Sequence, residues 1–438
     1  MRDGHEQMGV AQGCPRYADG MKTNTTTKSL RRSLPVFAQL VQLIPPGLAD
    51  RLGAGAKIKA RVFTYAHQIY SLLLGQLAGA FSLNEICDAE EVHRNKLVRI
   101  RGILPAKRNT FSNANRTRDP AVAERLFWEL YRRLSDSFPG FFLRPHKGRL
   151  ARFRLRRIFA VDATVLQLTL KSIDWAKHRK RKAAAKLHMR CDVASRLPSF
   201  AVFTAAKVPD CRRMAELCRD LHAGDVAIFD RGYTDFRELF RLESKGVFFV
   251  VREKRGMRYG VDDRRRDLPG NILSDEDIVL LGKESNRKYP WKLRRIRAKV
   301  EVDGKTCKMT FLTNNFEWAA GTVAELYRAR WEVELLFKEL KQTLQLKDFY
   351  GENEKAVMWQ VWTALLAHLL LRYLAWAGRW HGSFTRFAGV VKAALWERTD
   401  LMGLLAAYGT APPPLEKGRR EETPVLKGFE KAWLAAMG

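Results

Sequence analysis

The sequence predicts a mixed α/β protein in which an all-helical N-terminal domain precedes an α/β core interrupted by a β-rich insertion. Three observations predict it. Apolar residues recur at helical spacing from about Ser33 to Phe141, and at Arg157 the period changes to that of strands. From about 255 to 318, short strands joined by turn residues replace the alternation of strands and helices. A length of 438 residues suits two or three domains, and a 46% hydrophobic fraction is enough to give them cores.

Taken in order, residues 1–27 are rich in Gly, Thr and Asn and read as a disordered tail, with Met21 an alternative start. Residues 28–150 form the helical domain, which could bind DNA or serve as a structural cap. Phe37, Leu40, Val41 and Ile44 keep one face before the Pro45-Pro46 break. Val62, Tyr65, Ile69, Leu72 and Leu73 keep a second, and Leu126, Leu130 and Leu134 a third. Between these last two lies a polar stretch, Thr110–Arg118, with Arg116 and Arg118. The domain 151–380 opens on a strand, Ile158–Leu168, followed by a basic loop, Lys177–Lys186. Leu187–Val193 and Ser199–Ala205 read as a hairpin, Cys211–Leu221 as a helix and Val226–Asp230 as a short buried strand. Asp235–Ser244 is again helical and Val247–Arg252 a fifth strand. Three strands, helix, strand, helix, strand is the succession of a ribonuclease-H-like core. Within the insertion, Ile296, Ala298, Val300 and Val302 alternate up to Asp303-Gly304, and Cys307, Met309 and Phe311 alternate after it, a strong hairpin signal. A long helix from Gly321 to Leu346 and an apolar one from Val357 to Ala377 follow, and 381–438 is a weakly patterned C-terminal segment.

Charge narrows the partners. Seventy-eight Lys and Arg against 47 Asp and Glu leave a net +31. Self-repulsion of that size is relieved by a polyanion, either nucleic acid or an anionic membrane. The excess is spread from Lys28 to Arg420, which suits a long nucleic-acid footprint better than a localisation tag. Gln360, His368 and Arg372 interrupt the apolar Val357–Ala377 stretch, so it reads as a buried helix and no membrane is expected. The six cysteines (Cys14, Cys87, Cys191, Cys211, Cys218 and Cys307) form no CxxC pair, and the polar N-terminus lacks the apolar core of a signal peptide. A reduced, cytoplasmic protein without structural zinc is expected.

Three acidic residues stand out. Asp162 lies in a run that is otherwise apolar, Ile158-Phe-Ala-Val-Asp-Ala-Thr-Val-Leu-Gln-Leu168, and Asp230 ends Val226-Ala-Ile-Phe-Asp. A carboxylate in a core strand is costly unless a cation or hydrogen bonds compensate it. Either alone could equally start a turn, but the expected strand order sets them side by side. The third sits in Tyr327-Arg-Ala-Arg330-Trp-Glu-Val-Glu334-Leu-Leu-Phe-Lys338-Glu-Leu-Lys341. On a straight helix, Tyr327, Arg330, Glu334, Lys338 and Lys341 share an arc of about 80°. Val333, Leu336, Leu340 and Leu344 form a separate apolar stripe, and Glu332 and Glu339 fall off the arc. A solvated face of mixed charge is the plain alternative.

The blocks Asp162-Ala-Thr164, Asp230-Arg-Gly-Tyr233 and Tyr327/Arg330/Glu334/Lys341 resemble the three catalytic blocks of insertion-sequence-four-type DDE transposases, the last being that group's Tyr-Arg-Glu-Lys signature. The resemblance runs from about Arg157 to Ala377. Gln39–Pro45 and Ser112–Arg116 also look like the N-terminal region of one branch. It implies cut-and-paste transposition: metal-dependent hydrolysis at the ends of an insertion sequence, a hairpin at the element end, then strand transfer. It also implies Mg2+, with Mn2+ as a substitute, held by Asp162, Asp230 and Glu334, with Asp162 the bridging ligand. DNA contacts then fall to Arg231, Tyr327, Arg330, Trp331, Lys338 and Lys341, although Trp331 could equally pack its helix. Lys186 and His188 are weaker candidates for which a structural role suffices. The partners implied are double-stranded DNA, as terminal inverted repeats and target, and a second copy of the chain in the synaptic complex. The setting implied is the bacterial cytoplasm, at the nucleoid. Two rivals are another ribonuclease-H-like nuclease, which would lack the insertion, and a catalytically silent DNA-binding repressor derived from a transposase.

Overall fold

The computed structural model describes residues 34–56, 62–146, 148–153, 156–168, 177–179, 182–302 and 304–408. The tail at 1–27 and the last thirty residues of the C-terminal segment lie outside them. One ten-stranded sheet runs through the described residues, with a helical layer on one face and a thinner cover on the other.

Among the described residues, eight α-helices precede the sheet: α1 (Val36–Val41), α2 (Leu48–Gly53), α3 (Tyr65–Ala78), α4 (Leu83–Val92), α5 (Arg94–Arg99), α6 (Arg108–Thr117), α7 (Ala121–Ser137) and α8 (Pro139–Phe142). The polar stretch at 110–118 belongs mostly to α6, which turns Phe111, Ala114 and Asn115 inward and its remaining polar residues outward. Of the second apolar face, Tyr65, Ile69, Leu72 and Leu73 are buried, whereas Val62 is 70% exposed, because the helix starts only after the Thr64 cap. These helices close around α14 (Glu354–Ala377), whose apolar window is 89% buried, as expected of a core helix. The chain also returns to its start: Val36 and Phe37 donate backbone hydrogen bonds to Glu397 and Leu395, ahead of the last helices' continuation into α16 (Leu401–Tyr408). The helices of the N-terminal region thus share one hydrophobic core with the C-terminal ones, including α15 (Phe384–Ala393).

The strands are β1 (Ile158–Leu168), β2 (Lys177–Arg179), β3 (Lys182–Asp192), β4 (Leu197–Ala205), β5 (Val226–Phe229), β6 (Phe248–Arg252), β7 (Tyr259–Arg264), β8 (Ile272–Leu280), β9 (Leu293–Val302) and β10 (Lys305–Thr313). The order is β2-β3-β1-β5-β6-β10-β9-β8-β7, with β4 also on β3. Three expectations need correcting. The basic stretch at 177–186 is largely strand, since β3 runs on to pair Ala183 with Leu168 along the whole of β1. The helix expected at 211–221 shrinks to a 3-10 turn, Asp210–Arg213, and one turn of helix, α9 (Met214–Leu217). The β-rich insertion is not a separate subdomain: β10 pairs antiparallel with β6, so the insertion prolongs the same sheet and covers what would otherwise be an open edge.

Parity along the strands decides what each face carries. Ile158, Ala160, Ile228 and Val250 face the helical layer. Phe159, Val161, Phe229 and Val251 face the other cover, built from α9 and α10 (Phe236–Ser244), with the short α11 (Lys283–Lys288) against α10. Asp162 and Asp230 have the parity of the first set and point toward the helices that follow the sheet.

Candidate active site

The site is set by the register of β1 on β5. These strands are parallel, with Ile158 opposite Val226 and Val161 opposite Phe229, so one further step brings Asp162 alongside Asp230. A two-armed ion pair fixes the start of both strands: Arg157 donates to the two Asp225 carboxylate oxygens at 2.9 and 2.7 Å. β5 ends at Phe229, and the chain turns through Arg231–Tyr233, releasing Asp230 at the sheet's edge.

Glu334 arrives from an interrupted helix. The single helix expected from Gly321 to Leu346 is instead α12 (Ala320–Arg328), a break at Ala329-Arg330, α13 (Trp331–Lys338) and a π-turn, Glu339–Thr343. The straight-helix arc therefore does not describe the site, and Lys338 points to solvent. The break lets Tyr327 reach the end of β5 while Arg330 and Lys341 reach β1. The Tyr327 hydroxyl donates to Asp230 Oδ1 at 3.2 Å, and its ring lies 4.7 Å from that of Phe311 on β10. The Arg330 guanidinium donates through Nη1 to Asp162 Oδ2 and through Nη2 to Glu334 Oε1 at 2.5 Å. Lys341 Nζ donates to the Val165 carbonyl on β1 at 2.9 Å. Val333, Leu336, Leu340 and Leu344 are buried, as their stripe required.

Electrostatics follows from burial. Desolvation raises the Asp162 carboxyl to about 6, with Glu334 and Asp230 adding to the rise and Arg330 and the Ala163 amide opposing it. Burial pushes the Tyr327 hydroxyl up to about 12. Burial works against the charged form of Arg330, but Asp162, Tyr327 and Glu334 outweigh it and hold the guanidinium firmly protonated. Among the described residues no three His, Cys, Asp or Glu side chains lie close enough to share an ion, and Arg330 bridges Asp162 and Glu334.

The remaining sequence candidates divide. Arg231 is exposed, and Trp331 is 46% exposed beside the site rather than packed into the core. Lys186 is tied to Asp210 at 2.8 Å and to the Val208 carbonyl. His188 is fully buried on the opposite face, bonded at 2.9 Å to both the Tyr233 hydroxyl and Thr204 Oγ1, and burial lowers it to about 4. This network braces the turn that follows Asp230. Gly232 is part of it, since a Cβ there would meet Asp210 Oδ2 at 3.1 Å.

Sequence reasoning missed one element. Glu339, off the expected arc, is bound by His368 Nε2 at 2.9 Å and by Arg372 Nη2 at 2.5 Å, which clamps the π-turn below Glu334 onto α14. The signal was available: His368 and Arg372 are four apart, so they share one face of α14 and could serve one buried acid.

Residues 154–370 match the Transposase DDE domain family. The chain is 33% identical over 264 residues to a putative transposase, y4zB, of Sinorhizobium fredii, covering 59% of this chain and 71% of that protein. It is 27% identical to the probable transposase for insertion sequence element IS5377 of Geobacillus stearothermophilus, over 49% of this chain and 55% of that one. It is 24% identical to the transposase InsG for insertion sequence element IS4 of Escherichia coli, over 43% of each. With its paired strand aspartates, helix glutamate and these relatives, the chain belongs to the DDE transposase family and functions in DNA transposition.

Proposed function

We propose that this transposase excises and inserts an insertion sequence by cut-and-paste, using a ribonuclease-H-like core in which Asp162, Asp230 and Glu334 hold Mg2+. The observation that carries the reading is the convergence of these carboxylates at one sheet edge, from β1, β5 and α13, among Tyr327, Arg330 and Lys341. The residues fit a divalent ion. Carboxylate oxygens are the hard donors Mg2+ prefers, and burial raises the Asp162 carboxyl to about 6, a cost that a bound cation would offset. When bound, such ions activate a water or 3′-hydroxyl and stabilise the leaving oxygen of a phosphodiester. The chain's own groups supply the rest. Tyr327 orients Asp230; Arg330, Lys341 and the exposed Lys338 and Arg231 meet the DNA phosphates; and Trp331 offers an exposed ring to a distorted terminal base.

The helical N-terminal region, 28–150, is proposed to grip the element end. No acidic residue occurs between Glu91 and Asp119, and Arg94, Arg99, Lys107, Arg108 and Arg116 of that stretch are exposed on or beside α5 and α6. Such a face suits phosphate and groove contacts to double-stranded DNA. Two copies would bring two ends together, in the cytoplasm at the nucleoid.

The test is incubation of the full chain with a duplex carrying the element end, with Mg2+ or Mn2+. Wild type cleaves to leave a 3′-hydroxyl, whereas Asp162→Asn, Asp230→Asn and Glu334→Gln bind the duplex and leave it intact. Cleavage by any of the three at the wild-type rate would remove that residue from the site. Binding without cleavage by every protein would favour a silent repressor.

A further inference from the structure

We infer that Arg330 is a gate on metal loading: in the DNA-free protein its guanidinium occupies the oxygens of Asp162 and Glu334, and DNA phosphate draws it away. The inference rests on the assignment of those two residues as ion ligands.

Three features of the structure carry it. First, one guanidinium serves two acids from two elements, giving Nη1 to Asp162 and Nη2 to Glu334. Each acid thus receives a single N–H rather than the two-armed fork in which an Arg–carboxylate pair is strongest. A divalent ion would need the same oxygens, so the two cations exclude each other. Second, the resting pose leaves a donor unused: Arg330 Nε is buried and, among the described residues, has no hydrogen-bond partner. A buried unpaired N–H is costly, and an arriving phosphate oxygen would relieve it. Third, Arg330 stands at the joint between α12 and α13, where the helix is broken, with its guanidinium 5.6 Å from the centroid of the Tyr327 ring. The aromatic face supports the cation in either position while the side chain swings.

Arg330 thereby couples two binding events. Off DNA, Arg330 offsets one of the pair's two negative charges and holds the oxygens an ion would need. On DNA, Arg330 pairs with the backbone, and the bared carboxylates acquire affinity for the ion at the moment a substrate is present. The free protein is silent as a nuclease without a separate inhibitor.

The experiment measures Mn2+ affinity directly, by the loss of the free-ion electron paramagnetic resonance signal, with and without a pre-cleaved element-end duplex. In wild type the duplex is expected to tighten Mn2+ binding about tenfold or more. Arg330→Gln is expected to bind Mn2+ without DNA about tenfold more tightly than wild type, and the duplex should add little. Arg330→Lys, whose ammonium is a point charge that cannot fork across two acids, should fall between them. Should Arg330→Gln fail to fold by thermal melting, the Lys variant decides alone. An affinity in the DNA-free Gln variant, or failing it the Lys variant, equal to or weaker than wild type overturns the gate. Asp162→Asn separates the two levels of the argument. If, with the duplex present, it binds Mn2+ like wild type, the ligand assignment itself falls; if it loses Mn2+ there while the DNA-free Arg330 variants match wild type, only the gate falls.

Discussion

His188 should make this protein sensitive to mild acid, through the brace beneath Asp230. Its imidazole is fully buried between Tyr233 and Thr204, and burial lowers it from 6.5 to about 4. A histidine with a depressed folded value binds its proton more tightly in the unfolded chain. The stability tied to the neutral ring is therefore complete above about pH 6.5 and is lost as pH falls toward 4. A shift of that size corresponds to about 3 kcal/mol once pH reaches 4, of which about 2 kcal/mol is already gone at pH 5. The perturbation is His188→Gln, whose amide can keep one of the two hydrogen bonds but cannot titrate. Urea melts of both proteins at pH 7.5 and pH 5, in EDTA, give the comparison. The variant should be the less stable at pH 7.5, by about 1 kcal/mol for the lost bond, and should lose about 2 kcal/mol less than wild type on going to pH 5. Equal losses in the two proteins would refute the argument, because they would mean that the ring is not held neutral by burial.

Other outcomes follow from the same geometry. Asp162→Asn removes a carboxyl whose acid form is favoured up to about 6, so in EDTA at pH 7.5 the variant should melt above wild type, and Mg2+ should stabilise only wild type; a lower melting temperature in EDTA contradicts this. Arg372→Ala leaves half-buried Glu339 without its main cation and should cost about 1–3 kcal/mol by chemical denaturation. Trp331→Ala should change stability by no more than about 0.5 kcal/mol, since the ring is 46% exposed, while slowing end cleavage in a gel assay. Gly75→Ala would set a Cβ 2.4 Å from Ile86 Cδ1 and should cost about 1–3 kcal/mol in a thermal melt, without altering cleavage at a permissive temperature.

Much of this was legible in the sequence, for identifiable reasons. The strand Ile158–Leu168 was readable to the residue because Ile158–Val161 is apolar on both faces and Asp162 is followed by a mostly apolar run, and the turn at Gly304 announced the β9–β10 hairpin. The side-by-side placement of Asp162 and Asp230 followed from strand order alone. What was hidden is tertiary. A helix pattern predicts a straight helix, and nothing local to 321–346 reveals the break at Arg330, where the demands of Asp162, Asp230 and Val165 on three side chains outweigh helical continuity. The π-turn is equally invisible in isolation, since Glu339 is held there by partners about thirty residues further on. The insertion's union with the main sheet depends on the free edge of β6, which no local period reports.

The helix α14 joins the N-terminal helices to the acidic site. Near its start, the Trp359 indole donates to the Arg118 carbonyl at the end of α6; further along, His368 and Arg372 hold the π-turn that follows the helix carrying Glu334. Between Trp359 and His368 the helix rises roughly 14 Å. If α5 and α6 seat the element end as proposed, α14 is a ruler: the distance from the bases that are recognised to the bond that is broken is a length of rigid rod, fixed whatever sequence lies between. An added residue in that rod would rotate one end against the other by about 100° as well as lengthening it, so the position of the cut is stored in the count of residues along a buried helix.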